Sequence, residues 1–139
     1  MAIPFWSNKN LDDHFKSLGI KKGDNICVHS KLWAFGELEN GVAGFYQALR
    51  RAVGEEGTLV FPSFTFGTSP YNVFSVKESK PEGMGSLPNY VWSLDNKFRS
   101  SCPIHSHMGI GPKAQLLKDI NGLSSIGKDS DFEFFLKNN

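Results

Sequence analysis

At 139 residues with 40% hydrophobic side chains, among them 12 Phe and 3 Trp, the chain fits one domain, 1–139, with a real core, and disorder is excluded. A formal net charge of +1 carries no basic excess for nucleic acid, and no stretch has the apolar length that spans a bilayer. The N-terminus lacks the basic-then-apolar pattern of a secretory leader, and the two cysteines, Cys27 and Cys102, make no disulfide framework, so a cytoplasmic protein without nucleic-acid or membrane partners is expected.

Taken in chain order, Asn10 caps a first helix whose Leu11, Phe15 and Leu18 share a face. Asp12 and Asp13 suit its positive start and Gly19 its exit. The turn Lys22-Gly23-Asp24 enters a buried strand, Ile26-Cys27-Val28, followed by a polar loop from His29 to Asn40. From Gly41 to Val53 the stripe Val42, Phe45, Tyr46, Leu49 and Val53 predicts an amphipathic helix, with Gln47, Arg50 and Arg51 facing away. Gly54 and Gly57 end it, and Thr58-Leu59-Val60-Phe61 is a second apolar strand. Strand, helix and strand within about 35 residues is the pattern of a right-handed parallel crossover.

Residues 62–85 are rich in Pro, Gly, Ser and Lys without periodicity, and a loop of that length in a compact domain is usually functional or mobile. A short helix is expected from Leu87 to Leu94, a strand around His107-Met108-Gly109-Ile110, and a further short helix from Pro112 through Leu117. Ser130-Asp131-Phe132-Glu133 is a capping-box pattern opening a last helix, which has barely begun at Asn139, so the domain is expected to be incomplete.

Two loops leave the carboxyl ends of the first two long strands, where open parallel sheets bind ligands. Ser30, Lys31 and Leu32 lead toward a helix start, whose free N–H groups and dipole favour anions. The competing reading is an ordinary strand-to-helix loop with a solvated Lys31. Ser63, Phe64 and Thr65 close the second strand, Thr65 as a hydrogen-bond donor and Phe64 as either core or ligand wall. Arg99 has the planar fork of a phosphate clamp, or else makes a structural salt bridge. Cys102, His105 and His107 lack the second ligand pair of a zinc site, so no metal is expected.

Three ordered segments resemble the aminoglycoside 3-N-acetyltransferase family. They are Val28-His29-Ser30-Lys31-Leu32 with Gly36 and Gly41, then Gly57-Thr58-Leu59-Val60-Phe61-Pro62-Ser63-Phe64-Thr65, and finally Met84-Gly85-Ser86-Leu87 with Arg99-Ser100, Pro103 and His105-Ser106. The last run is similar to the family's Arg-Ser-x-His-Pro-x-x-Ser signature. The resemblance implies an α/β/α sandwich with a largely parallel central sheet. It implies acetyl-CoA as co-substrate and the amino group of an aminoglycoside or amino sugar as acceptor. The donor-site residues it carries over are Ser30, Lys31, Leu32, Ser63, Phe64, Thr65, Arg99 and Ser106, while His29 matches a framework position.

Family members are about twice as long, and their general-base histidine lies in a segment expected beyond Asn139, so no catalytic residue is assigned. Cys102 stands where the family has a histidine before Pro103, and Asn89 where many resistance enzymes have a glutamate. Both departures favour relatives that acylate an amino sugar in surface-polysaccharide synthesis. The alternative is an inactive fragment that binds coenzyme A or pairs with another subunit. An incomplete domain leaves apolar surface uncovered, so self-association into a homo-oligomer is expected.

Overall fold

The computed structural model describes residues 2–67 and 71–138. A two-residue strand β1 (Phe5–Trp6) precedes α1 (Asn8–Ser17), whose N-cap is Ser7 rather than Asn10. Ser7 is extended, its hydroxyl accepts from the Asn10 N–H at 3.1 Å, and the Asn10 side chain accepts from the Ser7 N–H at 3.2 Å. Asn10 is therefore the third helical residue of a reciprocal cap. Leu11 and Phe15 turn inward, and Gly19 leaves the helix at φ 83°.

β2 (Asn25–Cys27), a 3-10 turn (Leu32–Phe35) and β3 (Glu37–Leu38) lead to α2 (Gly41–Val53) and β4 (Thr58–Pro62). The bounds of α2 are those its apolar stripe predicts, and Phe45, Tyr46, Ala48, Leu49 and Val53 are buried. Arg50 folds back to donate to the Gly54 and Gly57 carbonyls at 3.1 and 3.0 Å, satisfying the helix exit. Then come α3 (Ser86–Trp92), β5 (Phe98–Arg99), β6 (His107–Ile110), a second 3-10 turn (Ala114–Asp119) and α4 (Asp131–Lys137).

The larger sheet has the order β2-β4-β6-β5. β2 and β4 run parallel around α2, as the crossover pattern requires, but β4–β6 and β5–β6 are antiparallel. The sheet is mixed and not largely parallel. Residues 100–106 between β5 and β6 are too few for a crossover helix, so the chain must return beside the strand it has just left. β1 and β3 form a separate parallel pair.

Pleating sorts the side chains. Leu59, Phe61, Met108 and Ile110 face a core shared with α1, α2 and α3, which Ile26 and Val28 join from the edge. The opposite face carries Thr58, Val60, His107 and Gly109, against the second 3-10 turn and α4. A methyl added at Gly109 would lie 3.1 Å from Leu117, and Asp131 of α4 bonds His107. Gly111, at φ 129°, closes this corner so tightly that a Cβ would sit 2.5 Å from the Gly57 carbonyl. β2 was expected to be buried. It is instead the sheet edge, half covered along Asn25 and Ile26, and Cys27 is exposed.

Candidate functional site

The expected donor-site residues fall into two groups. Ser63, Thr65, Arg99 and Ser106 are all buried and bonded to one another or to the loops beside them. Arg99 Nε donates to the Ser63 and Ser106 hydroxyls, both at 3.1 Å. One terminal nitrogen donates to the Ser63 carbonyl at 2.6 Å, and the other to the carbonyls of Val76 (3.3 Å) and Ser79. The guanidinium lies 4.8 Å from the Phe74 ring centroid and 5.1 Å from that of Trp92. Burial lowers its pKa to about 10, which still leaves it charged at neutrality. Thr65 donates to the Pro103 carbonyl, and Ser106 to the Ser63 carbonyl at 2.8 Å. A single buried cation thus ties the long loop after β4 to β5 and to the approach to β6.

The second group lines the rim. Ser30 is half-buried, and its hydroxyl has no hydrogen-bond partner among the described residues. Its carbonyl faces Gly85 at the start of α3, where a Cβ would lie 3.9 Å away. Lys31 is exposed with Nζ 4.5 Å above the Trp33 ring, and Leu32 is buried in the core. Phe64 is half-buried, with ring centroids of His29, His105 and His107 at 6.3, 5.0 and 5.2 Å.

A cluster the sequence did not announce lies at this rim. Cys27 and His29, two residues apart at the end of β2, share a face. β2 pairs Cys27 with Val60, so the same register carried two residues on sets His29 level with Pro62, which pairs with His107. The ligand atoms of Cys27, His29 and His107 all lie within 4.8 Å of one another. Behind them, His107 Nδ1 and Asp131 Oδ2 are 2.9 Å apart, both side chains fully buried. The same carboxylate oxygen accepts from the His107 N–H at 2.9 Å and the Ser100 hydroxyl at 2.5 Å.

Burial, and then the neighbouring His107, lower the His29 pKa. Cys27 is exposed as a residue, yet enough protein surrounds its sulfur for burial, and secondarily Asp131, to push the thiol up to about 11. Near neutrality it is a thiol and not a nucleophile. Cys102 accepts from the His105 backbone N–H at 3.3 Å and lies 3.9 Å from the Ser125 hydroxyl.

Residues 27–139 match the family model of aminoglycoside 3-N-acetyltransferase. The chain belongs to that family. It is 32% identical over 116 residues to aminoglycoside N(3)-acetyltransferase IV from Salmonella sp, covering 82% of this chain and 43% of the relative. It is 31% identical over 138 residues to aminoglycoside N(3)-acetyltransferase III from Serratia marcescens, covering 86% and 51%. In fold it is similar to AAC-IIIb solved as a binary complex with CoASH, with a TM-score of 0.85 and 23% identity over 96% of this chain and 56% of that one. The chain therefore spans about half the length of the curated relatives it matches. Among family-matched positions, Ser30, Lys31 and Phe64 reach the rim, while Ser63, Thr65, Arg99 and Ser106 lie beneath it.

Proposed function

We propose that this chain forms the coenzyme A-facing half of an acetyl-CoA-dependent N-acetyltransferase that acylates an amino group of an aminoglycoside or amino sugar. Family membership supports the reaction class, and the names of the relatives support the acceptor class. The likeness to a fold solved with CoASH supports the donor. The observation that carries the reading is the rim itself. The loops after β2 and β4 meet at the carboxyl ends of two parallel strands, with a Ser30 hydroxyl that has no partner among the described residues and an exposed Lys31 cation.

In this reading Ser30, Lys31 and Phe64 touch the donor, Lys31 meeting phosphate charge and Phe64 walling the pantetheine arm. Leu32, Ser63, Thr65, Arg99 and Ser106 hold the two loops in place. A neutral amine attacks the thioester carbonyl, and the oxyanion is met by backbone amides. Collapse expels the coenzyme A thiolate, and a base removes the amine proton. We assign that base to no residue of this chain, and the fold to which the chain contributes is an α/β/α sandwich, within the cytoplasm. Asn89, exposed on α3, replaces an acidic residue suited to a polycationic antibiotic, which favours an amino sugar of surface-polysaccharide synthesis as acceptor.

Calorimetric titration of the chain with coenzyme A tests the reading. Binding is expected, weakened several-fold in Lys31→Ala, and its absence would sink the donor assignment. In a thiol-release assay with acetyl-CoA and simple amino sugars, no turnover is expected from this chain alone. Turnover would overturn the placement of the base.

A further inference from the structure

His107 presents an unresolved balance of charge and hydrogen bonds. Its ring is wholly buried, Nδ1 is taken by Asp131, and Nε2 has no hydrogen-bond partner among the described residues. If Nε2 carries a proton it is a buried donor without an acceptor among the described residues, and if not it is a lone pair without a donor among them. Either state leaves a buried polar atom unsatisfied, which is unfavourable. Asp131 is buried too, and its ion-pair partner among the described residues is this imidazole. Cys27 and His29 stand beside this ring, with one ligand atom from each of the three residues lying within 4.8 Å of the others.

We infer that Cys27, His29 and His107, with Asp131 behind His107, form a site for one borderline-soft divalent cation of the Zn2+ class. Thiolate and imidazole donors select such ions over Mg2+ or Ca2+, which take oxygen ligands. Bonds of about 2.0–2.3 Å in a tetrahedral site put ligand atoms roughly 3.3–3.6 Å apart. Closing the present cluster to that size takes a shift of about 1 Å. Cys27 and His29, exposed at a sheet edge, are free to make it, while His107 is fixed.

The surroundings match what a metal needs beyond its ligands. Asp131 sets the His107 tautomer and ring plane, the part a carboxylate plays behind a metal-bound histidine. Phe64, Phe132 and Phe135 pack edge-on to the His107 ring at 5.2, 5.3 and 4.8 Å, giving the site an apolar shell. Three protein ligands would leave a fourth position for water or another ligand, as in a reactive site and not a closed structural one. The sequence expectation of no metal considered Cys102, His105 and His107, and this site shares only His107 with that set. The inference stands apart from the acyl-transfer proposal, since neither coenzyme A nor an amine enters it.

Titration of the reduced, metal-free chain with Co2+ tests it. One equivalent is expected to give the visible bands of four-coordinate cobalt and a near-ultraviolet thiolate-to-metal band, both removed by Zn2+. Cys27→Ser, at an exposed position that leaves the circular dichroism unchanged, abolishes the thiolate band, and Cys102→Ser retains it. Asp131→Asn weakens Co2+ binding by about ten- to a hundredfold. Absence of the thiolate band in the wild-type chain would overturn the site. So would its survival in Cys27→Ser, or its loss in Cys102→Ser.

Discussion

Arg99 shows how one side chain can organise a loop that carries no secondary structure of its own. Its nitrogens reach the carbonyls of Ser63, Val76 and Ser79, so truncation strips several buried acceptors of a donor at once. Arg99→Ala is expected to cost about 3 kcal/mol or more in urea denaturation, and Arg99→Lys to recover only part of it, because an ammonium cannot fork between them. A loss below about 1 kcal/mol would show that the hub does not hold the loop. Cys27 gives a second expectation at this scale. With its thiol pushed up to about 11, alkylation of the metal-free chain by iodoacetamide should be slow near pH 7 despite its exposure, and accelerate as pH rises toward that value. A rate already at its plateau by pH 8 would contradict the burial argument.

Among the elements, α2 and α4 behave differently because one is secured by a core and the other by its cap. Leu49 of α2 is 2% exposed in the central cluster, so Leu49→Ala should cost about 2–5 kcal/mol through the cavity it leaves. α4 has seven residues, and only Asp131 among them is buried. Its start depends on the Ser130 hydroxyl accepting from the Glu133 N–H at 3.3 Å and the Glu133 carboxylate accepting from the Asp129 N–H at 2.7 Å. Ser130→Ala should cost about 1 kcal/mol, read from the same denaturation curves. The hydrogen bond from Lys137, and next that from Asp129, hold the Glu133 carboxyl below its usual range. Its stabilisation is therefore complete above the ordinary glutamate pKa and fades as pH falls through that value to the lowered one. Glu133→Gln should flatten the acid-side decline in thermal stability, and an unchanged decline would remove Glu133 from the account.

At the scale of the whole molecule, the helices lie on both faces of the mixed sheet while the β2 edge stays open. Beside it is a cavity of about 370 Å³ lined in part by Ile26, Val60, Leu116, Phe134 and Phe135. Trp33 and Leu136 are 73% and 81% exposed. With a strand edge that is unpaired among the described residues next to apolar surface, the chain is expected to self-associate. Static light scattering at rising concentration checks this, and a monomer throughout would count against it.

The sequence alone determined what depends on neighbours along the chain. The stripe that bounds α2, the apolar run of β4, the positions of β6 and the cap at Ser130 each follow from periodicity or a local hydrogen bond. Membership of the family rested on ordered segments that are equally local. What only the tertiary structure decided involves partners far apart in the chain. The antiparallel return of β6, the inward turn of Arg99 onto Ser63 and Ser106, and the meeting of Cys27, His29, His107 and Asp131 all required the strand register. Cys27-x-His29 at a strand end was the one local sign of that last cluster, since alternation puts both on one face. Which histidine would face them was set by pairing across β4, and pairing is a property of the folded sheet.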